Sequence, residues 1–390
     1  MPDLKADRSL MPDWRENFEP HLLALLDAKR TRQGQGSYKP REAQDVAERL
    51  GRLLDARGVP GDVRNVRRMS GGASKEQFLF DLVDQASGVV RQLVLRMDPL
   101  EGIIETSRAR EAQLLEAVEG TVPTPKVAVV DGDGRHMGQP AMITHFVRGA
   151  TKPRDAATGP SGLGIVIGER ASAALIPQYL DHLVAIHGFD FAKADLSTYA
   201  VPQAGTNQAA LWQLNLWARV LEDDAIAASP LLTYTAGWLR ECPPVCAAPV
   251  LLHGDYRLGN FMFDEDTLEM TAILDWELAH IGDFHEDIAY SLEPLFCSRD
   301  GRGELLVGSM MPVSIFLGGY AERSGRTIDP AVLHWYRVLN SFKLSVMNFA
   351  SGARAARDGT NHQSALLGFL SACHVGLSGT LCRLLEGQSP

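Results

Sequence analysis

Cysteine is scarce and unpatterned in this chain. The five present, Cys242, Cys246, Cys297, Cys373 and Cys382, are odd in number and contain no CxxC pair. Neither a disulfide framework nor a zinc ribbon is expected, and a reducing cytoplasm suits them. Positive charge is also short: 38 Lys and Arg stand against 48 Asp and Glu, a formal net charge of −10. That balance argues against a nucleic-acid partner held by neutralised phosphates, while it permits a cationic substrate. The first residues carry Asp3, Asp7, Asp13 and Glu16 with no apolar stretch behind them, and no window of about eighteen apolar residues stands out downstream, so no membrane partner is expected. A Walker A loop is absent as well.

What the chain does contain is bulk: 390 residues, 45% of them hydrophobic, enough for a large core divided between two lobes. Residues 1–40 read as an N-terminal arm, with one helix over 18–29 and a linker-like end at Arg32-Gln33-Gly34-Gln35-Gly36-Ser37. Residues 41–148 read as a small lobe. A helix over 41–57 stops at Gly58-Val59-Pro60-Gly61; strands follow at 63–69, 77–83 and 89–96, then a helix at 106–118 and strands at 127–130 and 141–147. Residues 149–390 turn helical, with patterns at 168–187, 207–224, 309–324, 330–353 and 362–386 around a single hairpin. The expected fold class is α+β: a small antiparallel sheet lobe and a large, mainly helical lobe.

The chemistry gathers in that hairpin. His253-Gly254-Asp255-Tyr256-Arg257-Leu258-Gly259-Asn260 has the Asp-x4-Asn spacing of a kinase catalytic loop, in which the aspartate receives a hydroxyl proton and the asparagine holds a metal. Phe261-Met262-Phe263, the turn-like Asp264-Glu265-Asp266-Thr267 and the apolar run 268–274 would fold antiparallel and bring Asp275 beside Asn260. An amide oxygen and a carboxylate are hard ligands suited to Mg²⁺. A lone His-x-Asp is usually only a turn; the set of Asp255, Asn260 and Asp275 is a stronger signal.

A nucleotide end is legible in the small lobe. Ser70-Gly71-Gly72-Ala73-Ser74 lies between two expected strands, where its backbone and the hydroxyls of Ser70 and Ser74 could meet phosphate oxygens, although a Gly-Gly hairpin is often only a turn. Arg96 ends the third strand and Glu111 lies in the next helix, the places of a phosphate-binding cation and its orienting carboxylate; the alternative for Arg96 is a solvent-facing strand end. Thr144-His145-Phe146-Val147 closes the lobe as a strand running into Arg148-Gly149, a hinge whose main chain could bond an adenine edge; a catalytic reading of His145 is disfavoured, because a hinge contributes its main chain.

These residues resemble the aminoglycoside phosphotransferase and choline kinase-like family, which has the protein-kinase-like fold. The resemblance covers roughly 45–385 and rests mainly on Leu252 to Asn260, Ile273-Leu274-Asp275-Trp276-Glu277, Gly282-Asp283 and Asp287-Ile288-Ala289-Tyr290. It implies ATP as donor, with GTP left open, and Mg²⁺ on Asn260 and Asp275. It further implies Asp255 as the catalytic residue, Arg96 with Glu111 as a phosphate clamp, His145 and Val147 as hinge positions, and Asp287 as a brace. No glycine follows Asp275-Trp276 and no Ala-Pro-Glu segment follows, which points to a small-molecule hydroxyl acceptor and away from a protein. The sequence looks nearest to kinase-like domains fused to acyl-CoA dehydrogenases, which implies a hydroxyacyl-type or hydroxyacyl-CoA acceptor, with an aminoglycoside-like one as the alternative. Lys75 and His285 depart from the family pattern. Two other classes remain at this point: a metal-dependent hydrolase built on His253, Asp255, Asp275, His280, Asp283, His285 and Asp287, and a nucleotide-binding module without turnover.

Overall fold

The computed structural model describes residues 17–32, 36–69, 75–153 and 167–388, so the Ser70 to Ser74 loop lies outside the described residues. Helices α1 (Pro20–Arg32) and α2 (Ala43–Ala56) precede β1 (Asp62–Arg68), β2 (Glu76–Val83) and β3 (Val90–Met97); α3 (Arg108–Ala117), β4 (Val127–Asp131) and β5 (Ala141–His145) follow. The strands form one sheet in the order β1-β2-β3-β5-β4. Alternation builds it: Phe78, Phe80 and Leu82 on β2, with Leu93 and Leu95 on β3, join Val46, Leu50, Leu53 and Leu54 of α2 in one core. The adjacent β5 residues part ways, Ile143 into that core and Met142 into the larger one with Ala112, Leu114 and Leu115 of α3. One face of the sheet thus belongs to the small lobe, and the other is fused to the rest of the molecule.

The large lobe runs through α4 (Glu169–His187), α5 (Gln208–Asp224), α6 (Pro230–Glu241), β6 (Val250–Leu252), β7 (Phe261–Phe263), β8 (Met270–Ile273), β9 (His280–Gly282) and α7 (His285–Ser291). Then come β10 (Ser298–Arg299), β11 (Leu305–Val307), β12 (Met311–Pro312), α8 (Val313–Ser324), α9 (Pro330–Val346), a π-helical turn (Met347–Gly352), α10 (Ala353–Asp358), α11 (Ser364–Ala372) and α12 (His374–Leu385). Helix α9 is its keel. Asp329 caps it by accepting from Ala331 N and Val332 N, Pro330 occupies its first turn, and its residues are buried from Val338 to Val346.

The sequence pattern needs several adjustments. The helix expected at 309–324 begins at Val313, because Met311 and Pro312 pair with Val307 and Leu306. The pattern at 362–386 divides into two helices at Cys373. Its Ser364–Leu385 stretch is long and apolar enough by composition to cross a membrane, contrary to the expectation of no such run; Leu367, Leu377, Leu381 and Leu384 are buried, while Phe369 and Val375 are exposed. Helix α6 escaped the period test, although Ser229, which accepts from Leu232 N, and Pro230 mark its start. Alongside the expected hairpin of β7 and β8 stands a second ladder, β6 with β9, too short to show a period.

The described part of the arm is docked. Phe18 and Leu26 enter the large core, Glu19 pairs with Arg110 at 2.9 Å, and buried Lys29 pairs with Asp224 of α5. Asp224 also accepts from Ser351 and meets Arg354, which reaches Glu101 of the small lobe at 2.6 Å.

A pH effect follows from the packing of α9. Glu293, just beyond α7, is buried and accepts from Ser341 Oγ at 2.9 Å, and burial pushes its carboxyl from an ordinary 4.5 up to about 8. Between those values the folded chain holds a proton that the unfolded chain has released. Its contribution is therefore fully present below 4.5 and lost as pH rises towards 8. Glu293→Gln removes this dependence, so the stability difference between variant and wild type, read by urea unfolding, should shift in favour of the variant across that window. A difference independent of pH would overturn the assignment.

Candidate active site

Two short ladders hold the loop 253–260 at both ends. Leu252 of β6 pairs with His280 of β9, and Phe261 of β7 pairs with Ile273 of β8; Leu274 N donates to Asn260 O at 2.7 Å. The loop 253–260 and the turn 274–279 therefore lie side by side. Gly254 has φ +78°, and a Cβ there would stand 2.4 Å from Leu278 O, so only glycine lets the two segments approach.

Within the loop nearly every polar atom is assigned. His253 Nδ1 accepts from Asp255 N at 3.2 Å and its Nε2 faces Leu274 O at 2.9 Å. Burial pushes the His253 pKa down, which agrees with a neutral ring that accepts on one side and donates on the other. Asp287, fully buried, accepts from His253 N and Gly254 N, both at 2.8 Å, and from His187 Nε2 at 3.3 Å. Burial alone would raise its pKa, but the His187 hydrogen bond, the His187 and His253 rings and the His253 N–H hold it below the usual range. Lys343 of α9 donates to Gly254 O at 2.8 Å from beneath, and burial pushes its pKa down.

Asp255 stands at the loop's open side with its side chain 15% exposed. Asn260 Nδ2 donates to Asp255 Oδ2 at 2.6 Å and to Asp255 O at 2.8 Å. Asn260 Oδ1 carries no hydrogen bond among the described residues. Asp275 follows in the left-handed region at φ +59°, a conformation aspartate tolerates and one often found at functional positions. Its Oδ1 accepts from Arg96 Nη2 at 2.6 Å, and the side chain keeps 37% of its surface open. The surrounding protein nevertheless pushes its pKa up; Arg96 opposes the push, and Glu277 and Asp255 add to it. An uncommitted amide oxygen and an accessible carboxylate oxygen from adjacent segments suit a hard divalent cation such as Mg²⁺.

Arg96 joins the lobes. Its Nη1 donates to Glu111 Oε1 at 2.8 Å while Nη2 holds Asp275, and at 11% exposure it is no solvent-facing strand end. Enclosure works against its charge, but the Glu111 and Asp275 carboxylates outweigh that and hold its pKa above the ordinary range. Sequence reasoning missed the next layer. Arg108, fully buried, bonds Glu111 and lies 3.1 Å from Asp98 and 3.4 Å from Glu277. Lys75 is buried too, 2.8 Å from Thr106 Oγ1, 3.1 Å from Asp98 and 3.5 Å from Glu277. Arg108 opens α3, where the helix dipole disfavours a cation, and that mismatch was the available signal.

Ser70, Gly71, Gly72 and Ser74 lie outside the described residues, in the connection between the paired strands β1 and β2. His145 ends β5 opposite Leu93, and burial lowers its pKa. Val147 lies in the following link, which Ala150 and Phe263 tie to the hairpin through bonds of 2.9 and 3.0 Å. The histidines of the hydrolase alternative are committed to protein partners. His280 bonds Leu278 O and Glu286, while His285 bonds Asp283 and accepts from Asp329 N.

A family model described as the phosphotransferase enzyme family matches residues 65–332, a span that contains Arg96, Glu111, Asp255, Asn260 and Asp275. Acyl-CoA dehydrogenase family member 10 of Mus musculus is 27% identical over 209 residues, covering 52% of this chain and 18% of that protein. Family member 11 of Gallus gallus is 26% identical over 241 residues, covering 61% of this chain and 29% of that protein. The chain thus spans less than a third of these relatives. Among solved structures, a candidate aminoglycoside phosphotransferase of Ralstonia eutropha superposes with a TM-score of 0.64 at 21% identity, over 88% of this chain and 99% of that one. A thermostable mutant aminoglycoside phosphotransferase, in ternary complex with ADP and hygromycin B, gives 0.54 at 14% identity, over 86% and 97%. Both likenesses place the chain in the two-lobed kinase-like fold.

The bracing role of Asp287 is testable without any substrate. Asp287→Ala leaves the N–H groups of His253 and Gly254 buried without their acceptor and should cost roughly 3 kcal/mol. An unchanged urea midpoint would remove Asp287 from the support of the loop.

Proposed function

The chain belongs to the phosphotransferase enzyme family, and on that premise we propose that it moves the γ-phosphoryl group of ATP to a hydroxyl of a small molecule. The observation that carries this reading is the convergence of Asp255, Asn260 and Asp275 at one end of a hairpin, with Arg96 closing on Asp275 from the other lobe. Asp255 orients the acceptor hydroxyl and takes its proton as the new P–O bond forms. Asn260 Oδ1 and Asp275 would hold Mg²⁺, which would supply charge neutralisation on the phosphate oxygens. Arg96, kept in place by Glu111, adds a fixed cation to the same end, and the Ser70 to Ser74 loop with the His145 to Val147 link serves the nucleotide. Position and electrostatics do most of the work in such a transfer.

For the acceptor, the acyl-CoA dehydrogenase relatives favour a hydroxyacyl compound or its CoA thioester over an aminoglycoside. The acidic run at the end of α5 supports the same choice, because Asp223 is paired with Arg219 at 2.7 Å and Asp224 with Lys29 and Arg354. Those carboxylates do not offer themselves to a polyamine.

Asp255→Ala and Asp275→Ala should each lower turnover by about 10³-fold or more with the fold retained by circular dichroism, and Asp275→Ala should also lower the unfolding midpoint, since it leaves Arg96 with one carboxylate fewer. ADP release measured over hydroxyacyl compounds, sugars, choline-like amines and aminoglycosides reads this out. Near-normal transfer by either variant would sink the assignment, and nucleotide binding without transfer to any acceptor would leave a binding module in its place.

A further inference from the structure

The two oxygens of Asp255 have different neighbours. Oδ2 accepts from Asn260 Nδ2 at 2.6 Å, on the side of the proposed metal ligands. Oδ1 accepts from Arg257 Nε at 3.0 Å. The Arg257 guanidinium lies over the Phe296 ring, 4.9 Å from its centroid, and Phe296 in turn packs on Tyr290 at 5.2 Å. Stacking and the Nε bond fix the plane of the fork. Among the described residues no protein acceptor takes Arg257 Nη1 or Nη2, and the side chain is 21% exposed beside the 15% of Asp255.

A hydroxyl that Asp255 is to orient must reach one of its carboxylate oxygens, and on the side away from Asn260 it arrives beside that fork. Planar, paired N–H donors match the oxygens of a carboxylate or phosphate. The second cation near Asp255, Lys343, lies beneath Gly254 and faces the Tyr290 ring at 4.9 Å. Lys343 is countered by buried Glu286 at 3.9 Å, so the fork of Arg257 is the cation that this flank presents. Resting on the phosphotransfer reading, we propose that Arg257 binds the acceptor, and that the acceptor is an anionic alcohol with a carboxylate or phosphate a few bonds from the reacting hydroxyl.

Matched pairs of acceptors test this on the full chain with ATP and Mg²⁺: hydroxybutyrate against its ethyl ester, and glycerol phosphate against glycerol. Wild type should favour the charged member of at least one pair by about tenfold or more in kcat/KM, and the two pairs separate carboxylate from phosphate. Arg257→Gln should bring that ratio to about one, and Arg257→Lys should keep part of it, with KM for ATP within about twofold of wild type. A ratio near one in wild type, or one that survives in Arg257→Gln, overturns the proposal. So does an equal loss for all acceptors with a raised KM for ATP, which would assign the fork to the transferring phosphoryl group. If no probe turns over, calorimetry on the Mg–ADP complex decides. Binding of a charged probe that Arg257→Gln abolishes upholds the proposal, and no such binding overturns it. Failure to bind Mg–ADP at all overturns the phosphotransfer reading first, and the proposal falls with it.

Discussion

Arg96 holds carboxylates from both lobes in one guanidinium, and the geometry of the cleft depends on it. Glu111 belongs to the helix of the small lobe, and Asp275 to the turn after the hairpin of the large one. Behind them Arg108 and Lys75 meet Asp98, Glu111 and Glu277, so three cations face four carboxylates in a space largely closed to water. Enclosed charges of this kind add little net stability, because desolvation cancels much of their attraction; removing one member, however, strands the others. The arrangement is better understood as a device of specificity. It sets the angle between the lobes and leaves the Asp275 carboxylate, alone among the four, with over a third of its surface open.

The loop 253–260 is held by a different means, hydrogen bonds with few charges among them. Its ends are pinned by two short ladders, its N–H groups by Asp287, and its carbonyl at Gly254 by Lys343. Each support comes from a separate element, so the loop has little freedom to relax around a bound ligand. That rigidity is what a reaction governed by placement requires, since misplacement by about an ångström can cost two orders of magnitude in rate.

Much of this could be read from the sequence, and the boundary between legible and illegible follows distance along the chain. The meeting of Asn260 and Asp275 was legible because a strand, a turn and a strand are local, and folding them is a matter of counting. The pairing of Arg96 with Glu111 was legible because an arginine at a strand end and a glutamate one turn into the next helix are near neighbours in order. Arg108, Lys75, Lys343 and the support role of α9 were not, since their partners lie far away and a charged residue is ordinarily assigned to the surface. The strands of the β6 and β9 ladder, three residues each, are too short to carry a period. Helix α6 was missed for a different reason: its cap and proline were visible, but its apolar spacing was weak.

Arg257 raises the most pointed question about the chemistry. A guanidinium in contact with a general base is a poor choice if the rate depends on how strongly that base pulls a proton. It is a good choice if the rate depends on where the hydroxyl sits. Phosphoryl transfer through a loose transition state leaves little for a base to do until late, whereas it requires attacking and leaving oxygens in line throughout. A carboxylate gripped on one oxygen by Asn260 and on the other by Arg257 cannot rotate. Its remaining lone pairs therefore keep fixed directions of approach, and a group bound at the fork would arrive on the Oδ1 side with its hydroxyl already placed.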